Sequence, residues 1–285
     1  LLDISVGNGE MEFVGEFAVG LPMMIIAYAL GVKTDDLATF KKWSDDLVMP
    51  VGNPDPSVDQ VRGYLISVSE FNNFFGQLLQ QRREESQEDI ISDVANAEVN
   101  NEMLNEAEML SMLQQFLVAG NETTTKLLTN LMHRLAVEDD LEDKLREEPD
   151  LIENFIEEGL RYEAPVGGLF RMAKSDTMVN GTEIKSGEHI WLIFAAANRD
   201  PEIFSDPDSF SLYRENARDH LAFGHGEHFC IGATLARSEA RISMERILQR
   251  IENIRLVEDK NNFQYEESFV MRGLKELHIA FDIRA

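Results

Sequence analysis

Phe223-Gly224-His225-Gly226-Glu227-His228-Phe229-Cys230-Ile231-Gly232 holds the only cysteine in 285 residues. It lies directly before an apolar-periodic stretch, Met244, Ile247, Leu248 and Ile251, that reads as the last long helix, from about Ile231 to Ile251. A thiolate needs help to stay ionised, and the positive end of a helix with its free backbone N–H groups supplies it. The glycines allow a tight bend around a bulky ligand, and an aromatic neighbour can keep water from the sulfur. Two other readings stand beside a ligand cysteine: a buried structural thiol, and a Cys-His hydrolase using His225 or His228. The second lacks a recognisable orienting Asn or Asp.

Working outward, Asn105 with Glu108 forms a capping-box pattern, after which Met109, Leu113, Phe116, Leu127, Leu131 and Leu135 keep helical spacing to about Val137. The centre of this long helix is poor helix material, Gly120-Asn121-Glu122-Thr123-Thr124-Thr125. A mid-helix Thr can bond back to the carbonyl four residues earlier, here from Thr123 to Ala119, and open the helix locally. Gly120 would leave room beside it. Taken alone, the segment reads as an inert polar patch. Between this helix and the cysteine, Ile152, Phe155, Ile156 and Leu160 define a shorter helix ending before Pro165. It carries Glu158 and Arg161 three apart, which in isolation reads as a solvated ion pair.

Elsewhere, Phe13, Phe17, Leu21 and Met24 predict packed helices at the start, and Val58 to Arg82 is a further amphipathic helix beyond the break at 51–56. The polar stretch 83–108 suits a loop with short helical pieces. Asn180-Gly181 predicts a hairpin over 178–193, and the tail after the last helix is strand-like. The class is mainly α with a small β-sheet.

The formal net charge of −26 excludes a nucleic-acid partner, since a phosphate backbone rewards clustered Lys and Arg. No run of eighteen apolar residues and no signal-peptide pattern is present, so no membrane span is expected and a soluble, cytoplasmic protein is the default. One cysteine allows neither an internal disulfide nor a multi-cysteine metal centre. From Arg214 to Arg250, six Arg (214, 218, 237, 241, 246, 250) face five acids, a relatively electropositive island in an acidic chain. Arg237 and Arg241 share a helix face there, where an acidic electron-transfer protein could be steered.

The cysteine stretch resembles the haem-binding loop of the cytochrome P450 family, Phe-x-x-Gly-x-x-x-Cys-x-Gly, at Phe223, Gly226, Cys230 and Gly232. The resemblance implies haem b (iron protoporphyrin IX), with Cys230 as axial iron ligand and His228 beside a propionate. A thiolate ligand favours O–O cleavage. Ala119-Gly120-Asn121-Glu122-Thr123 is similar to the family's oxygen-binding kink, with Glu122 as the acid and Thr123 as the alcohol. Glu158 and Arg161 are similar to the family's buried pair, completed by Arg214, with a structural role. Val166-Gly167-Gly168-Leu169-Phe170-Arg171 resembles the segment that lines the substrate pocket and then offers Arg171 to a propionate. Met271, in Val270-Met271-Arg272-Gly273-Leu274, matches a later substrate-facing turn, and Phe116, Val166 and Leu169 are further pocket candidates.

The resemblance implies one P450-type domain over 1–285, its middle and C-terminal haem-binding part, with Leu1 falling inside the family pattern and the N-terminal portion lacking. The function implied is a monooxygenase that hydroxylates or epoxidises a lipophilic small molecule using electrons from a ferredoxin or flavodoxin. The alternative is a haem-binding fragment without turnover.

Overall fold

A computed structural model describes residues 1–5, 7, 9–33 and 37–284. After a single turn, α1 (Leu2–Ser5), and a short strand, β1 (Glu10–Glu12), a π-helical turn at Val14–Ala18 leads into α2 (Gly20–Leu30). α3 (Leu37–Gly52) and α4 (Val58–Glu84) follow, and Ser57 starts α4 with a capping box closed by Gln60. Then come α5 (Ile90–Ala95), a small ribbon of β2 (Glu98–Val99) and β3 (Glu102–Met103), and the 32-residue α6 (Glu106–Val137). α6 begins as its sequence predicts: Asn105 accepts from Glu108 N at 3.0 Å, and Glu108 accepts from Asn105 N at 2.9 Å.

α7 (Leu141–Glu147) and α8 (Leu151–Tyr162) precede four short strands, β4 (Leu169–Met172), β5 (Thr177–Val179), β6 (Thr182–Ile184) and β7 (His189–Leu192). The expected single hairpin over 178–193 is corrected here. Asn180 and Gly181, both at positive φ, do turn β5 into β6, but β7 pairs with β4, Leu169 opposite Leu192. Turn chemistry fixed the local hairpin, whereas the partner of β7 is set by a longer-range pairing. The chain continues through α9 (Phe194–Ala197), an irregular region and α10 (Ala233–Arg250), and ends in β8 (Ile251–Leu256) and β9 (His278–Ile283). β9 lies between β8 and β1 in an antiparallel sheet.

Two apolar cores share α6. One gathers Phe13, Phe17, Leu128, Phe155, Met244 and Phe281; the other gathers Ile26, Trp43, Phe71, Phe75 and Leu113. The two halves of α6 each bury leucines in one core, so its polar centre falls at the junction between them. The opening stretch differs from the helical reading in its inward face: in α2 it is Met23, Ile26 and Leu30 that are buried, while Leu21 and Met24 are only half-buried. α2 is apolar on every side, so periodicity could not select the inner one. Among the described residues no helix is long and apolar enough to cross a membrane.

Candidate haem-thiolate site

Gly224 and Gly226 take φ of +70° and +72°, backbone that side chains rarely adopt, and let the cysteine loop fold back on itself. The loop is closed by Cys230 N donating to Phe223 O at 2.9 Å. Cys230 is half-buried, and α10 begins three residues later with Gly232 at its N-cap and no side chain accepting from its first N–H groups. Ala233 N donates to Cys230 O at 3.2 Å, so the thiol sits against the positive end of the helix. Phe229 and Ile231, either side of the thiol, are 51% and 88% exposed, an apolar surface without protein cover.

The loop is anchored by a cluster that sequence reasoning missed. Glu157 of α8, almost fully buried, accepts two hydrogen bonds from Arg237 of α10, Nε to Oε1 at 2.6 Å and Nη2 to Oε2 at 2.9 Å. His220 Nδ1 accepts from Ala222 N, so its proton is on Nε2, which donates to Glu157 Oε2 at 3.1 Å. Burial alone would raise the Glu157 pKa; the hydrogen bonds from His220 and Arg237, with the Arg237 charge, outweigh it and hold it at about 2. The Arg237 guanidinium also lies 4.5 Å from the Phe223 ring centroid. Arg237 is therefore tied into the loop's support, and Arg241 pairs with Glu245 at 2.8 Å. The electropositive island expected on this face is largely neutralised.

Beginning at the next residue of α8, the Glu158–Arg161 pair, which in isolation reads as solvated, is completely enclosed. Arg161 uses all five of its N–H donors: two on Glu158 (2.6 and 2.8 Å) and three on the carbonyls of Asn198, Pro207 and Ser209 (2.9, 2.9 and 3.0 Å). Arg214 Nε donates to both Glu158 oxygens at 3.0 Å, and its other nitrogens reach the carbonyls of Ser205, Asp206 and Ser209. The triad thus fastens α8 to the irregular stretch 198–214 ahead of the cysteine loop.

In the middle of α6, Thr123 Oγ1 donates to Ala119 O at 2.9 Å, the back-bond that the sequence predicts. Phe116, Ala119 and Thr123 lie on one helix face and are the less buried residues there, half-buried, exposed and half-buried in turn. Gly120 has a different reason from the one expected: a Cβ on it would stand 3.0 Å from Ile26 Cδ1, so glycine here permits close packing of α2 on α6. Glu122 points to the other side and is buried. It accepts from Lys126 Nζ at 2.9 Å, Asn121 Nδ2 at 3.1 Å, Ser44 Oγ at 3.2 Å and Lys41 Nζ at 3.5 Å. Burial pushes its pKa up, but Lys126 and then Lys41 prevail and hold it below the usual carboxylate range.

The expected pocket strands meet as well. Val166 pairs with Met271, and Gly167 N donates to Val270 O at 2.7 Å. Leu169 is exposed and Met271 buried, with Phe170 stacked on Trp191 at 5.8 Å. Arg171 is exposed and donates only to its neighbour's carbonyl, Phe170 O; among the described residues no carboxylate pairs with it or with His228, also exposed. An apolar surface around a thiol at a helix N-terminus, with the Arg171 guanidinium and the His228 ring lacking acidic partners, fits a flat, apolar, dianionic prosthetic group.

The family model for cytochrome P450 matches residues 59–279. The chain belongs to the cytochrome P450 family. It is 38% identical over 282 residues to a cytochrome P450 of Bacillus subtilis, covering 99% of this chain and 68% of that one. It is 34% identical to a steroid C26-monooxygenase of Mycobacterium tuberculosis, covering 99% and 75%. Among solved structures it superposes with a TM-score of 0.91 on P450BioI in complex with hexadec-9Z-enoic acid ligated acyl carrier protein, at 35% identity and covering 99% of this chain and 71% of that one. A Bacillus megaterium cytochrome P450 in complex with testosterone gives 0.88 at 33% identity, covering 98% and 75%. The mainly helical P450 fold, a haem-thiolate monooxygenase class acting on lipophilic substrates, and haem b as the family's cofactor follow from this membership.

Proposed function

We propose that this cytochrome P450 hydroxylates or epoxidises a fatty-acyl or steroid-like molecule, with Cys230 as the iron ligand and Glu122 and Thr123 as the proton-delivering pair. One observation carries it: the half-buried Cys230 at the uncapped N-terminus of α10, ringed by exposed apolar side chains. Gly226, Gly232 and Phe223 shape the loop, and Arg171 and His228 would take the propionates. When bound, haem with a thiolate ligand supplies one-electron and dioxygen chemistry. Thr123, its hydroxyl proton engaged by Ala119 O, keeps its lone pairs toward the open face of α6, where it can accept a hydrogen bond and then pass on a proton. Glu122, held on the other side of the helix by Lys126 and Lys41, is the group that replenishes that proton once it turns away from them and takes one up. Glu158, Arg161 and Arg214 keep the cysteine loop in place and take no part in the reaction.

Substrate would lie against Phe116, Val166, Leu169 and Met271, an apolar lining suited to chains and rings without charge. The 285 residues act as one haem-binding domain, because α6 belongs to both apolar cores. A ferredoxin or flavodoxin type donor in the cytoplasm would supply electrons from the Cys230 side. With Arg237 engaged by Glu157 and Arg241 by Glu245, steering there falls to Arg246. Titrating the ferric haem-loaded protein with hexadec-9Z-enoic acid and with testosterone tests the substrate class. A spin-state shift of the Soret band is expected with at least one of them and is weakened by Met271→Asp. No response to either rules out the class.

A further inference from the structure

Lys126 is 2% exposed and lies one turn beyond Glu122 on α6. It is shared by two carboxylates: its Nζ stands 2.9 Å from Glu122 Oε2 and 2.9 Å from Glu266 Oε2. The Glu266 side chain is 40% exposed, so the pair reaches from the interior to the surface. Glu266 is also fixed to the turn that carries Met271, its backbone N donating to Gly273 O at 3.0 Å. Gly273 in turn presses on Lys126: a Cβ there would come 2.4 Å from Lys126 Cγ, so only glycine lets the ammonium stem pass.

We propose that Lys126 is a positioning residue that clamps the Glu122 carboxylate and couples it to the Met271 turn through Glu266. A buried ammonium between two acids is drawn toward both, so the distance it keeps from one carboxylate depends on the charge of the other. Movement of the turn that draws Lys126 toward Glu266 loosens Glu122, and movement the other way tightens it. Substrate against Met271 is thereby sensed at the acid that replenishes Thr123.

Among the described residues, the remaining groups that bond or pair with Glu122 lie on α3 or α6. Lys41, 3.5 Å away, is itself paired with Asp45, and Ser44 and Asn121 are neutral donors. Burial raises the Asp45 pKa, Lys41 opposes this, and the neighbouring Glu122 adds to the rise. Burial would discharge Lys126, yet Glu122 and Glu266 raise its pKa, so it stays an ammonium.

The proposal rests on the reading of Glu122 as the proton-delivering acid, and the two are separable by experiment. The infrared carboxylic-acid band lost in Glu122→Gln reports the Glu122 titration in the ferric protein. Lys126→Met should raise its midpoint by about one pH unit, tenfold in proton affinity, and Lys126→Arg should keep it near the parent value. Glu266→Gln should lower it, since Lys126 then serves Glu122 alone. Opposite shifts in these two variants support the coupling. An unchanged midpoint in Lys126→Met, or shifts of the same sign in Lys126→Met and Glu266→Gln, overturn it. Product formed per reductant that is unchanged in Glu122→Gln overturns instead the role of Glu122, whatever the titrations show.

Discussion

Arg237 holds both oxygens of Glu157 with one edge of its guanidinium, Nε and Nη2, at 2.6 and 2.9 Å, across 80 positions of sequence. Through it α10, which follows the cysteine loop, is fastened to α8, and the same guanidinium supports the Phe223 ring that opens the loop. Glu157→Gln should cost about 2–3 kcal/mol at neutral pH, because the half-buried Arg237 loses the carboxylate that balances it and two charge-assisted hydrogen bonds are weakened. The Glu157 pKa is about 2 in the fold against an ordinary 4.5. Its contribution is therefore complete above about 4.5 and fades as pH falls toward 2. Chemical denaturation of parent and variant between pH 7 and pH 3 should show the stability gap narrowing on the acid side. A gap that widens there contradicts the assignment.

Arg161→Lys is not a conservative change at this site. Lysine has three donors where Arg161 uses five, so at least two of the five hydrogen bonds made by Arg161 are lost. A loss of about 3–5 kcal/mol is expected, read by denaturant unfolding, with a parallel fall in bound haem. A change below 1 kcal/mol would place the triad outside the core of the fold.

Gly120→Ala tests the packing reason for that glycine. The new methyl would stand 3.0 Å from Ile26 Cδ1, and forcing α2 and α6 apart should cost about 1–3 kcal/mol. Ile26→Ala added to it should recover part of that loss, since the two side chains compete for one space. Additive effects would show that the methyl clashes elsewhere.

Thr123→Ala should leave the fold within about 1 kcal/mol of the parent, as the lost hydroxyl only back-bonds within its own helix. Its effect belongs on chemistry: reductant consumption continues while hydrogen peroxide replaces hydroxylated product, and Thr123→Ser restores the coupling. Product per reductant, measured for the three proteins, decides this. Equal coupling in all three would make Thr123 part of the helix wall.

Much of the scaffold was legible because its signals are local. The Asn105–Glu108 capping box, the Asn180-Gly181 turn and the thiol before the last helix each need only a few neighbouring residues, and each is formed. The burial of Glu158 and Arg161 was legible only through the family resemblance, since the same pair three apart is ordinarily solvated. Glu157 carried no signal, because its partners Arg237 and His220 are far along the chain and the helix period places it beside the noticed Glu158. Lys126 was hidden for the same reason. An ion pair four apart with Glu122 is visible in sequence, but its second partner, Glu266, comes from a turn that only the tertiary fold brings there.

Cys230 as the iron ligand is tested most directly by the carbon monoxide difference spectrum of the reduced, haem-loaded protein. The parent should show the Soret shift characteristic of a thiolate ligand, and Cys230→Ala should lose it while Cys230→His gives a spectrum of the imidazole type. A thiolate-type shift that survives Cys230→Ala, or that is missing from the parent with haem bound, would contradict the assignment.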